Sequence, residues 1–169
     1  MSLENAILVG VFDGFTWIRC VGKGSFVTSP VMKECAENRI AAGERCLVID
    51  LQACTGMDST FMGQLASFSA RLSKLGATGG VQIAGAGERN RNSLEDLGLD
   101  CLLEIDPPAA LWRGHANEVR GLLEPYLLGR PPACWTGPST CWNRTRSSPP
   151  RMRRMPASLR VSSESSKKR

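Results

Sequence analysis

The sequence predicts an α/β fold, a single domain over residues 1–128 with a mixed four- to five-stranded sheet and packed helices. Three observations predict it. Short apolar runs alternate with longer segments whose apolar residues recur at threes and fours, Gly or Asp turns separate the two kinds, and the opening run doubles back at Asp13-Gly14. Such alternation implies crossover connections over a mostly parallel sheet. The 169 residues allow one ordinary domain plus an appendage. With 42% hydrophobic and 22% charged residues the chain sits near the globular average, which excludes a wholly disordered or membrane-embedded protein.

Taken in order, residues 6–21 read as two strands around Asp13-Gly14, a dipeptide that accepts the positive φ of a tight hairpin turn. A Gly22-Lys23-Gly24 loop follows. Thr28 or Ser29 then caps a helix with Pro30 in its first turn and Val31, Cys35 and Ile40 on one side; Gly43 ends it. Cys46-Leu-Val-Ile49 is short and apolar between Arg45 and Asp50, the pattern of a central strand covered on both faces. Residues 59–75 carry Phe61, Met62, Leu65, Phe68, Leu72 and Leu75 at helical spacing, closed by Gly76. A strand at 81–84, a helix at 88–97, a last strand at 101–105 and a final helix over 108–128, packing through Leu111, Val119, Leu122 and Leu123, complete the domain.

Charge divides the chain. Residues 1–128 hold 11 Lys/Arg against 15 Asp/Glu, a net of −4, whereas residues 129–169 hold 10 against the single Glu164, a net of +9. The second stretch is rich in Pro, Ser and Arg without apolar periodicity, and is expected to be a disordered basic tail. Its arginines and lysines could attract nucleic acid only non-specifically, so nucleic acid is an unlikely partner. The early apolar run, 6–12, lies between Glu4 and Asp13 with no basic flank, so no signal peptide is expected. No stretch approaches the roughly 18 apolar residues of a membrane span. Seven cysteines without a CxxC pair argue against a zinc or thioredoxin-type site and for reduced thiols. The expectation is a cytoplasmic protein with no cofactor, no metal and no membrane association.

Asp58-Ser59-Thr60 stands at the mouth of the 59–75 helix. Free backbone N–H groups and the positive end of the helix dipole stabilise negative charge there, so a phosphorylated hydroxyl would be well placed; a plain N-cap is the alternative. Gly22-Lys-Gly24 and Gly85-Ala-Gly87 lack the further Gly or the Gly-Lys-Ser/Thr that a nucleotide site requires, and His115 has no ligand cluster around it. No enzymatic activity is expected.

The stretch 46–63, ending Thr-Gly-Met-Asp-Ser-Thr-Phe-Met-Gly63, resembles the signature of the anti-sigma factor antagonist (STAS) family, strand, Met-Asp-Ser-Ser-Gly-Leu-Gly, then helix. The resemblance covers about residues 5–125, and Leu97-Gly98-Leu99 is similar to the family's Ser/Thr-Gly-Leu before its last strand. It implies a protein that binds an anti-sigma factor which is also a serine/threonine kinase. The second hydroxyl of the motif is phosphorylated by that kinase, the pair separates, and a phosphatase reverses the change. Carried over by position, the phosphoacceptor is Thr60, with Ser59 the alternative, and Asp58, Met57, Phe61, Met62 and Ser25 belong to the partner-binding surface. Phe61 stands where the family has Gly, and the acidic residue common in the family's loop after the second strand is replaced here near Ser25. The family also implies a rival, a subunit of a transport or stress-signalling assembly.

Overall fold

The structure, a computed structural model, describes residues 4–12, 14–76 and 80–130. Seven strands and four helices follow one another as β1 (Ala6–Phe12), β2 (Phe15–Gly24), α1 (Ser29–Ala41), β3 (Cys46–Asp50), β4 (Cys54–Met57), α2 (Ser59–Lys74), β5 (Gly80–Ala84), α3 (Glu88–Asp96), a 3-10 turn (Leu99–Cys101), β6 (Glu104–Ile105), α4 (Ala116–Arg120) and β7 (Glu124–Pro125). The sheet runs β6-β5-β3-β2-β1-β7, with β4 added beside the far end of β2. β1 pairs antiparallel with β2 and β7, and the other pairings are parallel. The mixed α/β architecture expected from the alternation is present.

Strand alternation sorts side chains onto two faces. Ile7, Val9, Ile18, Cys20, Leu47, Ile49, Val81 and Ile83 meet Met32, Cys35 and Ile40 of α1 and Phe61, Leu65, Phe68 and Leu72 of α2 in the main core. The opposite face carries Phe15, Trp17, Val48 and Ala84 beneath Trp112 and Val119. β3, covered on both sides, has Leu47, Val48, Ile49 and Asp50 at 0% exposure, as its unbroken apolar run implies. The Trp17 and Trp112 rings meet edge to face at 5.4 Å.

Three elements depart from the sequence expectation. Gly22-Lys23-Gly24 is the end of β2, held by β4, and not a loop. The strand expected at 101–105 shrinks to β6, because Gly98, at φ +68, opens a 3-10 turn that buries Leu99 and leaves Cys101 and Leu102 outside. The long terminal helix is absent. Turns occupy the Pro107-Pro108 region, Gly114 takes φ +88, and only α4 is helical before β7 joins β1. The left-handed backbone at Gly114 breaks the helix that the leucine spacing suggests. Leu111 accordingly stays 46% exposed, while Val119 is buried against the rear aromatics.

The chain remains fixed up to the last described residue: Tyr126 N–H donates to Ile7 O at 2.9 Å, Gly129 N–H to Glu34 Oε1 at 2.8 Å, and Leu127 bridges Arg130. The basic tail, apart from its first two residues, lies outside the described residues, as do Asp13 of the hairpin turn and residues 77–79.

Candidate partner-docking site

Two chain segments meet at the C-terminal end of β2, and Asp58 joins them. Its extended backbone (φ −93°, ψ 172°) makes it the N-cap of α2. One carboxylate oxygen, Oδ1, accepts the Phe61 N–H at 2.8 Å; the other, Oδ2, accepts the Phe26 N–H, also at 2.8 Å. Its own N–H donates to Gly24 O at 2.8 Å. One side chain therefore satisfies an orphan donor of the helix and pins the loop between β2 and α1 beside it.

That loop is a tight knot of hydroxyl bonds. Thr28 Oγ1 accepts the Ser25 N–H at 3.0 Å, Ser29 Oγ donates to Ser25 O at 2.8 Å, and Ser25 Oγ accepts the Val27 N–H at 3.3 Å. Ser25, Thr28 and Ser29 turn inward, at 9%, 4% and 3% exposure. The two apolar residues between them are forced outward, Phe26 to 70% and Val27 to 63%. Beside them Ser59 and Thr60, on the first turn of α2, are both exposed. The result is an apolar pair next to two hydroxyls at a helix N-terminus.

The structure moves three of the expected contact residues inside. Phe61 is fully buried and Met62 is 8% exposed; both face the main core with Leu65 and Phe68. Their helical register with those residues leaves no other direction. Ser25 is buried as the hub of the loop, so its part is to shape the surface. Met57, half-buried, packs on the core and pairs with Gly24 across β4 and β2. Asp58 lies between, half-buried with both carboxylate oxygens engaged. Phe26 and Val27 were not singled out by sequence, where two apolar residues in a loop have no periodic partner to mark them.

Phe61 fits because of Gly24. A Cβ on Gly24 would stand 2.9–3.1 Å from three carbons of the Phe61 ring, closer than side chains approach. The ring occupies the space that a side chain at 24 would need, and it floors the loop that carries Phe26.

A second polar centre lies at the C-terminal end of β3. Asp50, fully buried, accepts five hydrogen bonds: from Arg120 Nε at 2.7 Å, Arg19 Nη1 at 2.9 Å, Gln52 N at 3.0 Å, Arg120 Nη2 at 3.1 Å and Trp17 Nε1 at 3.2 Å. The Arg120 guanidinium also lies over the Trp17 ring at 5.9 Å. These bonds tie the C-terminal segment to the sheet. Gly85, at φ +65, approaches this cluster so closely that a Cβ would meet Gln52 at 2.9 Å and Arg120 at 3.1 Å. The Gly85-Ala-Gly87 turn thus has a packing reason. His115 Nδ1 stands 3.6 Å from Glu118, and among the described residues no cluster of His, Cys, Asp and Glu could hold a metal.

A mixed sheet with an antiparallel opening hairpin, α1 and α2 over one face, and a capped Asp-Ser-Thr turn beside an exposed loop make up a small α/β domain. The family model described as STAS domain matches residues 6–110, and the chain belongs to that family. Similar solved structures include an anti-sigma factor antagonist from Mycobacterium paratuberculosis, 27% identical, with a TM-score of 0.53 over 64% of this chain and 91% of that one. A putative anti-sigma factor antagonist from Thermotoga maritima is 17% identical, with a TM-score of 0.54 over 66% of this chain and 92% of that one. The phosphorylated form of the Bacillus cell fate determinant SpoIIAA is 15% identical, with a TM-score of 0.50 over 59% of this chain and 90% of that one. The last two share the fold. A search among curated proteins found no match. Among the described residues no helix is long and apolar enough to cross a membrane.

Proposed function

We propose that this chain is an anti-sigma factor antagonist that binds an anti-sigma factor with serine/threonine kinase activity and is switched by phosphorylation of Thr60, with Ser59 the alternative acceptor. The observation that carries the reading is the double bond of Asp58, which presents the exposed Phe26–Val27 pair next to two exposed hydroxyls. The name of the Mycobacterium protein, and its cover of nearly the whole of that chain, support the same reading. The apolar pair offers area that gains from burial at an interface. The hydroxyls offer a place where modification can oppose it.

A phosphate on Thr60 adds about −1.5 to −2 charge. The α2 N-terminus tolerates that charge, because its dipole and free N–H groups favour anions. A partner surface desolvated against Phe26, Val27 and the Asp58 carboxylate does not. A phosphatase would return the chain to its binding form. Each about 1.4 kcal/mol of penalty lowers affinity tenfold, so a switch needs about 3 kcal/mol of difference, the worth of one or two charge-assisted hydrogen bonds.

The test is phosphopeptide mass spectrometry on protein from its own cells over residues 46–71, with co-purified proteins identified in the same run. Affinity for the recovered kinase is then measured for wild type, Thr60→Asp and Thr60→Ala. Phosphate on Thr60 or Ser59 and binding weakened at least tenfold by Thr60→Asp support the switch. An unmodified peptide under all growth conditions, or equal affinity of the two variants, rejects it.

A further inference from the structure

A cavity of about 270 Å³ opens on the rear face of the sheet, at the other end of β2 from the Phe26 loop. The strand register accounts for it. Trp17, Val48 and Gln82 form one row across β2, β3 and β5, and Trp112 covers that row through its ring contact with Trp17 and its bond to Gln82. The next row, towards the strand starts, has the Phe15 ring on β2 but only Cys46 opposite Gly80 on β3 and β5. Two small residues leave the space unfilled, and a Cβ on Gly80 would meet nothing within 4 Å. The hairpin turn closes one side, where a Cβ on Gly14 would stand 3.7 Å from Leu111 Cδ1, so the half-exposed Leu111 is a wall of the cavity.

The polar side chains on the wall offer donors. Arg45 spends only Nη1, on Ile40 O at 3.3 Å and Glu44 O at 2.9 Å, which leaves the Nε and Nη2 hydrogens to face a ligand. Its neighbour Glu44 is turned to Thr16 and Arg39, and no carboxylate lines the cavity among the described residues. Gln82 Oε1 accepts from Trp112 Nε1 at 2.9 Å, and Gln82 Nε2 keeps one hydrogen after donating to Glu104 at 3.2 Å. Burial pushes the Cys46 thiol up to about 12, so it stays a neutral S–H at neutral pH. The rest of the lining is apolar, from Phe15 and the Trp112 ring to Ala109, Ala110 and Leu111.

We propose that this cavity binds a small carboxylate that carries one flat ring, the acid on Arg45 and the ring against Phe15, Leu111 and Trp112. An apolar lining with a few convergent polar groups is the composition of small-molecule sites. A guanidinium with a free edge and no acidic partner matches a carboxylate through two parallel N–H bonds. Size sets the rest. A cavity of about 150 Å³ suffices for benzene, so the volume here takes one ring and a short acid arm. The site lies at the opposite end of β2 from Phe26 and Val27, so a ligand here and a protein partner there do not compete for the same surface.

The experiment titrates sodium phenylacetate into the full chain and follows the Trp112 indole N–H, whose bond to Gln82 stands in the wall, by two-dimensional NMR. The expected result is a saturable shift of that signal and of the Cys46 and Leu111 amides, with a midpoint at or below about 1 mM, while the Phe26 and Val27 amides stay still. Arg45→Gln is expected to weaken phenylacetate about tenfold, to the affinity of the neutral phenylacetamide. Cys46→Leu, which fills the space from the sheet, is expected to abolish the shifts. No saturation in wild type by about 10 mM, ten times the expected midpoint, overturns the proposal. So does equal affinity of wild type for the acid and the amide, or binding that persists in a folded Cys46→Leu protein. The wild-type and Arg45→Gln titrations decide by themselves if Cys46→Leu folds poorly, because Arg45 is exposed and its replacement leaves the core intact.

Discussion

Replacing Asp58 by Asn separates its two bonds. The carboxylate accepts from Phe61 N–H through one oxygen and from Phe26 N–H through the other, both at 2.8 Å. An Asn amide has one accepting oxygen, and its NH2 can only confront the second donor. Asn is among the best N-caps, so the helix bond is kept and the Phe26 bond is lost. A hydrogen bond to a charged group is worth about 1.5–3 kcal/mol when buried; Phe26 is exposed and its freed N–H can find water, which leaves about 1 kcal/mol. Asp58→Ala also loses the cap, another about 0.5–2 kcal/mol. A domain of this size loses about 4 °C of Tm per kcal/mol. The expected falls are about 4 °C for Asn and about 6–12 °C for Ala. Thermal melts give the totals, and amide exchange at Phe26 and Val27 shows where the loss lies: faster in Asn while Phe61 stays protected. An Asn variant in which the Phe26 amide exchanges as in wild type would refute the account of how the loop is held.

Two further predictions concern the C-terminal segment. Arg120→Ala removes two of the five donors to Asp50 and leaves the carboxylate buried with Arg19 as its remaining ionic partner. Breaking one arm of a buried pair costs about 3–5 kcal/mol, so the urea midpoint falls with its slope unchanged; a loss below about 1 kcal/mol would show that the cluster does not anchor α4. Tyr126, the sole tyrosine of the chain, is held protonated to about 12, chiefly by burial, as its hydroxyl donates to Glu34 at 3.0 Å. Its raised value stabilises the fold fully below the unfolded value of about 10 and less as pH climbs from there towards 12. Near-ultraviolet absorbance titration reads this one phenol, and a midpoint near 10 in folded protein would contradict the packing of Tyr126 on α1.

Elements with a repeating signal were legible from residues alone. The opening hairpin, β3, α2, β5 and α3 fall within a few residues of their expected positions, because each buries a periodic face and ends at Gly or Asp. β4 was hidden since Cys-Thr-Gly-Met has no alternation and pairs on one side, to an extension of β2 that two glycines disguise as a loop. The terminal leucines imitate a helix, yet their backbone is broken at Gly114, and Trp112 was the residue that mattered for the rear face. Asp58 was legible as a cap, but its second bond, to Phe26, joins residues 32 apart and depends on the whole sheet. Asp50 read as a strand terminus, and its arginine partners come from β2 and α4.

Phe61 shows how a motif can keep its geometry while changing its content. In the resembling family a glycine follows the two hydroxyls, a place where no side chain enters the core; here a full ring does, at 0% exposure. The space comes from the facing strand, because Gly24 leaves free the volume that its own Cβ would need within 3.1 Å of the ring. Large at 61 therefore requires Gly at 24, two positions that meet only through the β2–β4 pairing. With the ring in place, Asp58 caps the Phe61 N–H and also accepts the Phe26 N–H, and Phe26 stays outside. In the proposed function it is Phe26 and Val27 that would meet the partner, and the ring beneath them floors their loop.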